Sequence, residues 1–405
     1  MIPKSVTVLM LLVLSLLMAA TGCTTHTAEA PESVFAGSMT GMAIGNGTMF
    51  AIQPCGALWT WGMMVGHRYA QNAPFNHVRP MEQVQISGAV VYVSTAGMGN
   101  MSEARNHAMA ITSDGALWGW GDNGYGQLGD GTYTRRSQPV WIKDNIVAVA
   151  TGPLNTMAID AEGILWGWGD NTFGQLATCH SDHVLSNQPI KIMGDVVSVS
   201  VGFGHILAMR TDGSLWGWGN RTGLGIGRVL NPDNDLAALG HPQPTEIMED
   251  VISIATGSAH SLAITSDGTL WAWGSNGEGQ LGNGTDEMSP YPTRIKEGVV
   301  AIAAAFWHSA AITQDGGLYT WGSNSSGQLG TGDADGRFSP ERVMDGVIQV
   351  STGRLNTMAA RYNGDVMGWG SNVFGQIARG GASRFYAPVG VLEDVTFTKI
   401  SADRS

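Results

Sequence analysis

The chain has 405 residues, only 13% of them charged, and a formal net charge of −12. It carries no basic stripe for a phosphate backbone, so nucleic acid is excluded as the expected partner. Its 57 glycines suit many tight turns on a compact body rather than a disordered tail.

The chain opens with Lys4 ahead of an apolar stretch from Val6 to Ala20. That stretch is short for a membrane span and reads as a signal peptide over residues 1–22. Ala20-Thr21-Gly22-Cys23 resembles a bacterial lipoprotein cleavage box, with Ala20 where leucine is usual. The resemblance implies lipidation at Cys23, with residues 23–36 as a flexible tether. The expected address is the cell envelope, lipid-anchored, or else the medium as a soluble chain.

From residue 37 to 401 one unit repeats. An apolar run ends in Trp-Gly at Trp61, Trp120, Trp168, Trp218, Trp273, Trp321 and Trp369, spaced by 59, 48, 50, 55, 48 and 48 residues. A period of this size marks a repeat architecture. Residues 299 to 346 show the grammar: Val299–Ala304, a bend at Phe306-Trp307, His308–Thr313, an Asp315-Gly316 turn, Gly317–Gly322, then a glycine-rich segment and a run after Pro340. Asp-Gly between apolar runs signals a hairpin, because both central residues of a type I′ turn need positive φ. Each unit is therefore four short strands, A to D. Such a sheet cannot bury both faces alone. Seven of them predict an all-β, seven-bladed β-propeller of four-stranded antiparallel blades. Of the 14 tryptophans, 12 fall in C strands and suit the gaps between blades.

The segment Gly257-Ser-Ala-His260-Ser-Leu-Ala-Ile264, with Asp267-Gly268, Trp271-Ala272-Trp273-Gly274, Asn276 and Gly279-Gln280-Leu281-Gly282, resembles the repeat of the regulator of chromosome condensation family. That resemblance implies a seven-bladed propeller. It leaves the activity open, because propellers host unrelated functions. The family's nuclear founder exchanges nucleotide on a small GTPase and binds chromatin, and its secreted bacterial relatives include inhibitors of β-lactamases.

Candidate chemistry is sparse. His107, His205, His260 and His308 occupy one repeat position, filled by Thr48, Asn155 and Asn356 in the other blades. Residues that all combine a donor and an acceptor suggest a structural hydrogen bond to nearby backbone. Cys179-His180-Ser181-Asp182-His183 has zinc-type ligands but no second cluster to pair with. No metal, cofactor or catalytic residue is assigned. Cys55 and Cys179 belong on opposite faces, too far apart for a disulfide. A monomer is expected.

A–B bends and C–D loops share one face, which also carries both expansions of the period. Its aromatics and arginines, Phe306, Trp307, Phe203, Arg105, Arg354, Tyr69 and Phe75, resemble a protein-binding hot spot. Phe306 and Trp307 could equally plug the channel mouth. The expected function is non-enzymatic: an interaction scaffold or inhibitor-like propeller binding an unknown protein at the cell surface or in the medium. A glycan-binding module or a secreted propeller enzyme is the alternative. For closure of the ring, Val395–Ile400 has better strand propensity than Met39–Met42, and is expected to complete blade one.

Overall fold

The structure, a computed structural model, describes residues 38–63, 65, 81–98, 105–178, 185–227, 240–378, 383–392 and 396–397. Residues 1–22 expected as a signal peptide, Cys23, residues 23–36 expected as a tether, Tyr69, Phe75 and Cys179–His183 lie outside them. Seven four-stranded antiparallel sheets follow in chain order, each built from one contiguous stretch. This is the seven-bladed propeller read from the repeats. Blade six is typical: A Val299–Ala304, B His308–Thr313, C Leu318–Gly322 and D Arg337–Met344. The A strands of all seven blades surround a central channel. Among the described residues the single helical piece is a 3-10 turn at Arg221–Gly223.

The repeated motifs are explained by turns and latches. In the B–C turn of blade five, Gly268 has φ 79°. The Asp267 carboxylate accepts the Thr265 hydroxyl at 2.7 Å and the Thr269 N–H at 3.0 Å, as expected for an aspartate that shapes its own turn. In the C–D loop, Asn276 Oδ1 accepts the Leu281 N–H at 2.9 Å, while its Nδ2 donates to the carbonyls of Thr285 and Glu287 at 2.8 and 3.0 Å. The loop thus holds a fixed shape and presents its Gln280 carbonyl to the next blade. There the fully buried Trp321 donates Nε1–H to that carbonyl at 2.9 Å. The same latch joins Trp168 to Gln127, Trp218 to Gln175 and Trp369 to Gln328. Trp61 to Gln376, at 3.0 Å, carries it across the seam between blades seven and one.

Closure differs from the expectation. Blade one takes its A strand from Gly41–Ile44, which pairs antiparallel with the B strand, Ala43 opposite Phe50. Of the C-terminal copy, Thr396–Phe397 pairs in parallel with Ser38–Met39 outside the blade. The reason is chain entropy: a hairpin through Gly45–Gly47 closes a loop of three residues, whereas the C-terminal copy would close one spanning the whole ring. Packing then offsets the poorer propensity, since Met39, Met42 and Ile44 are all buried.

Candidate functional site

The A–B bends converge on one mouth of the channel, around a cavity of about 160 Å³ lined in part by Pro153, Phe203, Ser258, Phe306 and Arg354. Neighbouring bends are tied by backbone, as where the Phe203 N–H donates to the Ser258 carbonyl at 3.0 Å. Phe306 and Trp307 meet edge to face with centroids 4.6 Å apart. The Arg354 guanidinium, from blade seven, sits 4.8 Å over the Phe306 ring, a cation–π contact. Phe306 and Arg354 are half-buried, whereas Trp307 is 40% exposed. The two bend aromatics therefore differ in exposure although they are adjacent in sequence. Phe306 lines the mouth, and Trp307 stands on its rim facing solvent.

The other candidates are placed unevenly. Phe203 lies at the same mouth, half-buried. Arg105 begins a B strand, Arg105–Thr112, and its backbone pairs with Met98; its side chain lies outside the described residues, as do Tyr69 and Phe75. Besides Tyr133, 50% exposed in the C–D loop of blade two, three aromatics at the starts of D strands were missed in the sequence reading and belong to this face. Tyr291, Phe338 and Tyr386 are 60%, 45% and 36% exposed, near the starts of the D strands of blades five to seven. The D strands start where the C–D loops end, so these rings edge the same face as Trp307. The signal was available: at or beside these positions blades two to four carry Ser137, Asn187 and Gln243.

Inside the channel the lining is hydroxylic, with Ser94 and Thr151 at 2.9 Å and Ser200 and Thr256 at 2.8 Å. The described lining of the channel and its mouth contains no carboxylate and no histidine.

The four histidines at the repeated position are fully buried. Their partner is a side chain on the following blade rather than backbone: His107 Nε2 meets Thr156 at 2.9 Å, His205 Ser261 at 3.0 Å, His260 Ser309 at 2.9 Å and His308 Thr357 at 3.0 Å. Each hydroxyl donates its one proton to the carbonyl at the latch, as Ser309 does to Gln280 at 2.8 Å. It must then accept from Nε2–H, which assigns the tautomer. Burial pushes His107 and His205 from the ordinary 6.5 down to about 4, with Asp122 opposing the shift at His107. It pushes His260 and His308 down to about 3, the flanking histidines adding to the effect at His260. These side chains pin blades together as neutral rings. Cys55 is exposed in the B–C turn of blade one.

Comparison with known proteins bears on the whole ring. The RCC1-like domain family matches residues 19–300, and the regulator of chromosome condensation repeat matches 315–360. The chain belongs to the RCC1-like domain family. A second description of the repeat matches 299–328 and 347–376 of this RCC1-like propeller. The human E3 ubiquitin-protein ligase HERC2 is 31% identical over 250 residues, 60% of this chain and 4% of HERC2. The Arabidopsis thaliana mitochondrial protein RUG3 is 31% identical over 236 residues, 56% of this chain and 40% of RUG3. The chain thus spans less than half the length of either relative. Among solved structures, human WBSCR16 superposes with a TM-score of 0.67 at 22% identity, over 80% of this chain and 87% of that one. At this identity the likeness shows the fold.

Proposed function

We propose that this RCC1-like propeller is a non-enzymatic protein-binding module that presents its A–B and C–D face to a protein at the bacterial cell surface or in the medium. The observation that carries the reading is Trp307. It is a solvent-facing tryptophan fixed edge-on against Phe306, which is itself clamped under Arg354. A preordered aromatic loses little side-chain entropy on binding, which is why tryptophan and arginine dominate interface energetics. The chain supplies the anchor in the same reading, through a lipid on Cys23. Ser38–Met39 leads into blade one from the D–A side, so a tether there leaves the A–B face directed away from the membrane. Tyr291, Phe338 and Tyr386 extend the face in a way that also suits stacking on sugar rings, and a glycan is the second reading.

Affinity purification from the native envelope and medium, followed by titration of the recovered partner, tests the proposal. Trp307→Ala should weaken binding by roughly 2 kcal/mol or more, a factor of about thirty, with an unchanged melting curve. Equal affinity for wild type and Trp307→Ala refutes the choice of face. Labelling with a palmitate analogue that marks Cys23→Ser as strongly as wild type refutes the anchor.

A further inference from the structure

The opposite mouth of the channel carries a second, differently built surface. In six blades the A strand opens with a β-bulge, seen as a skipped residue in its pairing with strand B: Val90/Tyr92, Ile146/Ala148, Val196/Ser198, Val251/Ser253, Val299/Ala301 and Val347/Gln349. The skipped residues are Val91, Val147, Val197, Ile252, Val300 and Ile348. The first five are 47%, 60%, 38%, 49% and 50% exposed, and Ile348 is half-buried. A bulge re-aims a side chain, and here it turns a β-branched apolar residue outward in each of blades two to six, while Ile348 of blade seven packs against the core beside blade one. The A strands are innermost, so these residues form an annulus around the channel. Strand propensity alone would be met by threonine, which this chain uses freely elsewhere. Blade one, paired in regular register from Gly41, has no bulge and leaves a gap in the annulus.

Around the annulus stand the turns of the same face, locked edge to edge by backbone bonds such as Val299 N–H to the Gly268 carbonyl at 2.9 Å. The B–C turns present Asp114, Glu162, Asp212, Asp267 and Asp315. The D–A turns add Asp144, Asp195, Asp250, Glu297 and Asp345. Arg294 pairs with Glu297, and Arg342 pairs with both Asp315 and Asp345. Lys143 and Lys296, stacked on Trp166 and Tyr319, Arg210 over Trp216, and Arg361 paired with Asp365 also stand at this face. The carboxylates outnumber the cations and leave the collar net negative, and turn hydrogen bonds hold Asp114, Asp212 and Asp267 below the usual carboxylate range.

We propose that this face is a docking surface for a cationic, apolar polypeptide segment, one whose aliphatic side chains cover the Val/Ile annulus while its lysines or arginines meet the acidic collar. Charge selects this occupant. A second copy of the chain on this face would set collar against collar, and anionic lipid headgroups would be repelled for the same reason.

The probe is a short labelled Lys/Leu peptide titrated against the full-length protein. Saturable binding that weakens with salt is expected. Val147→Ser with Val300→Ser should weaken it about tenfold, as two half-exposed valines returned to water would, without moving the melting curve. Asp212→Asn with Asp267→Asn should weaken it and flatten its salt dependence. Asparagine already serves this turn at Asn363, so those variants fold. Tyr133→Ser, in a C–D loop on the other face, should change nothing. The proposal is overturned by no saturable binding, by a Glu/Leu peptide or anionic vesicles binding as well, or by the valine and aspartate variants binding like wild type.

Discussion

Acidification should loosen this propeller chiefly through its four inter-blade histidines; His241, lowered by partial burial and by the nearby Arg221, shares the pH window with a shallower shift. In the folded ring His107 and His205 titrate near 4, and His260 and His308 near 3; in the unfolded chain all four return to about 6.5. The folded values are depressed, so the unfolded state binds more protons. The contribution is fully present above pH 6.5 and is lost as pH falls below it toward 4. At pH 5 the unfolded histidines are almost wholly protonated and the folded ones neutral. Each contributes about 2 kcal/mol less than above pH 7, and the four together about 8 kcal/mol. Aspartates with depressed values, such as Asp315 and Asp333 at about 2, keep their contribution until the pH drops below the ordinary carboxylate range. Thermal melts at pH 8 and pH 5 should therefore differ by on the order of 10–20 °C for wild type. Asparagine already fills the slot at Asn155 and Asn356. A variant with His107, His205, His260 and His308 all changed to Asn should be weaker at pH 8 and nearly flat between the two. His205→Asn alone should remove about a quarter of the slope. An all-asparagine variant as acid-sensitive as wild type would refute the reasoning.

Three further outcomes test the architecture. Trp369→Phe removes the Nε1–H bond to the Gln328 carbonyl and part of a fully buried ring, and should cost about 2–4 kcal/mol in denaturant unfolding. Gly257→Ala would place a Cβ 2.1 Å from His260 Cε1 and 2.3 Å from the Ala305 carbonyl oxygen. It should cost about 3 kcal/mol or more, and a silent change would mean the bend is looser than described. Deleting residues 38–44 removes the A strand of blade one with Met39, Met42 and Ile44 and should cost several kcal/mol. Deleting 398–405 should cost far less, and the reverse order would restore the C-terminal strand as the closing element.

The amino-acid sequence by itself determines the blade. Trp-Gly, Asp-Gly and Gly-Gln-Leu each encode a local event, a packed strand end, a hairpin turn and a fixed loop, and local events repeat in the one-dimensional text. The histidine slot was legible too, and more fully than first read. Histidine stands there only where the next blade offers Thr156, Ser261, Ser309 or Thr357. Where that blade has Met49, Ala108 or Ile206, the slot holds Asn356, Thr48 or Asn155. That rule joins residues about fifty apart, and reading it requires knowing that the blades stand side by side. Three things only the tertiary structure decided. One is closure by Gly41–Ile44, where loop entropy and burial outweigh propensity. Another is the split between Phe306 and Trp307, since adjacent residues in a bend are separated by the direction each faces and not by type. The last is the outward turn of Val147 and its counterparts. A β-branched residue after a buried β-branched one reads as core, and only the bulge in its pairing with the neighbouring strand puts it in water.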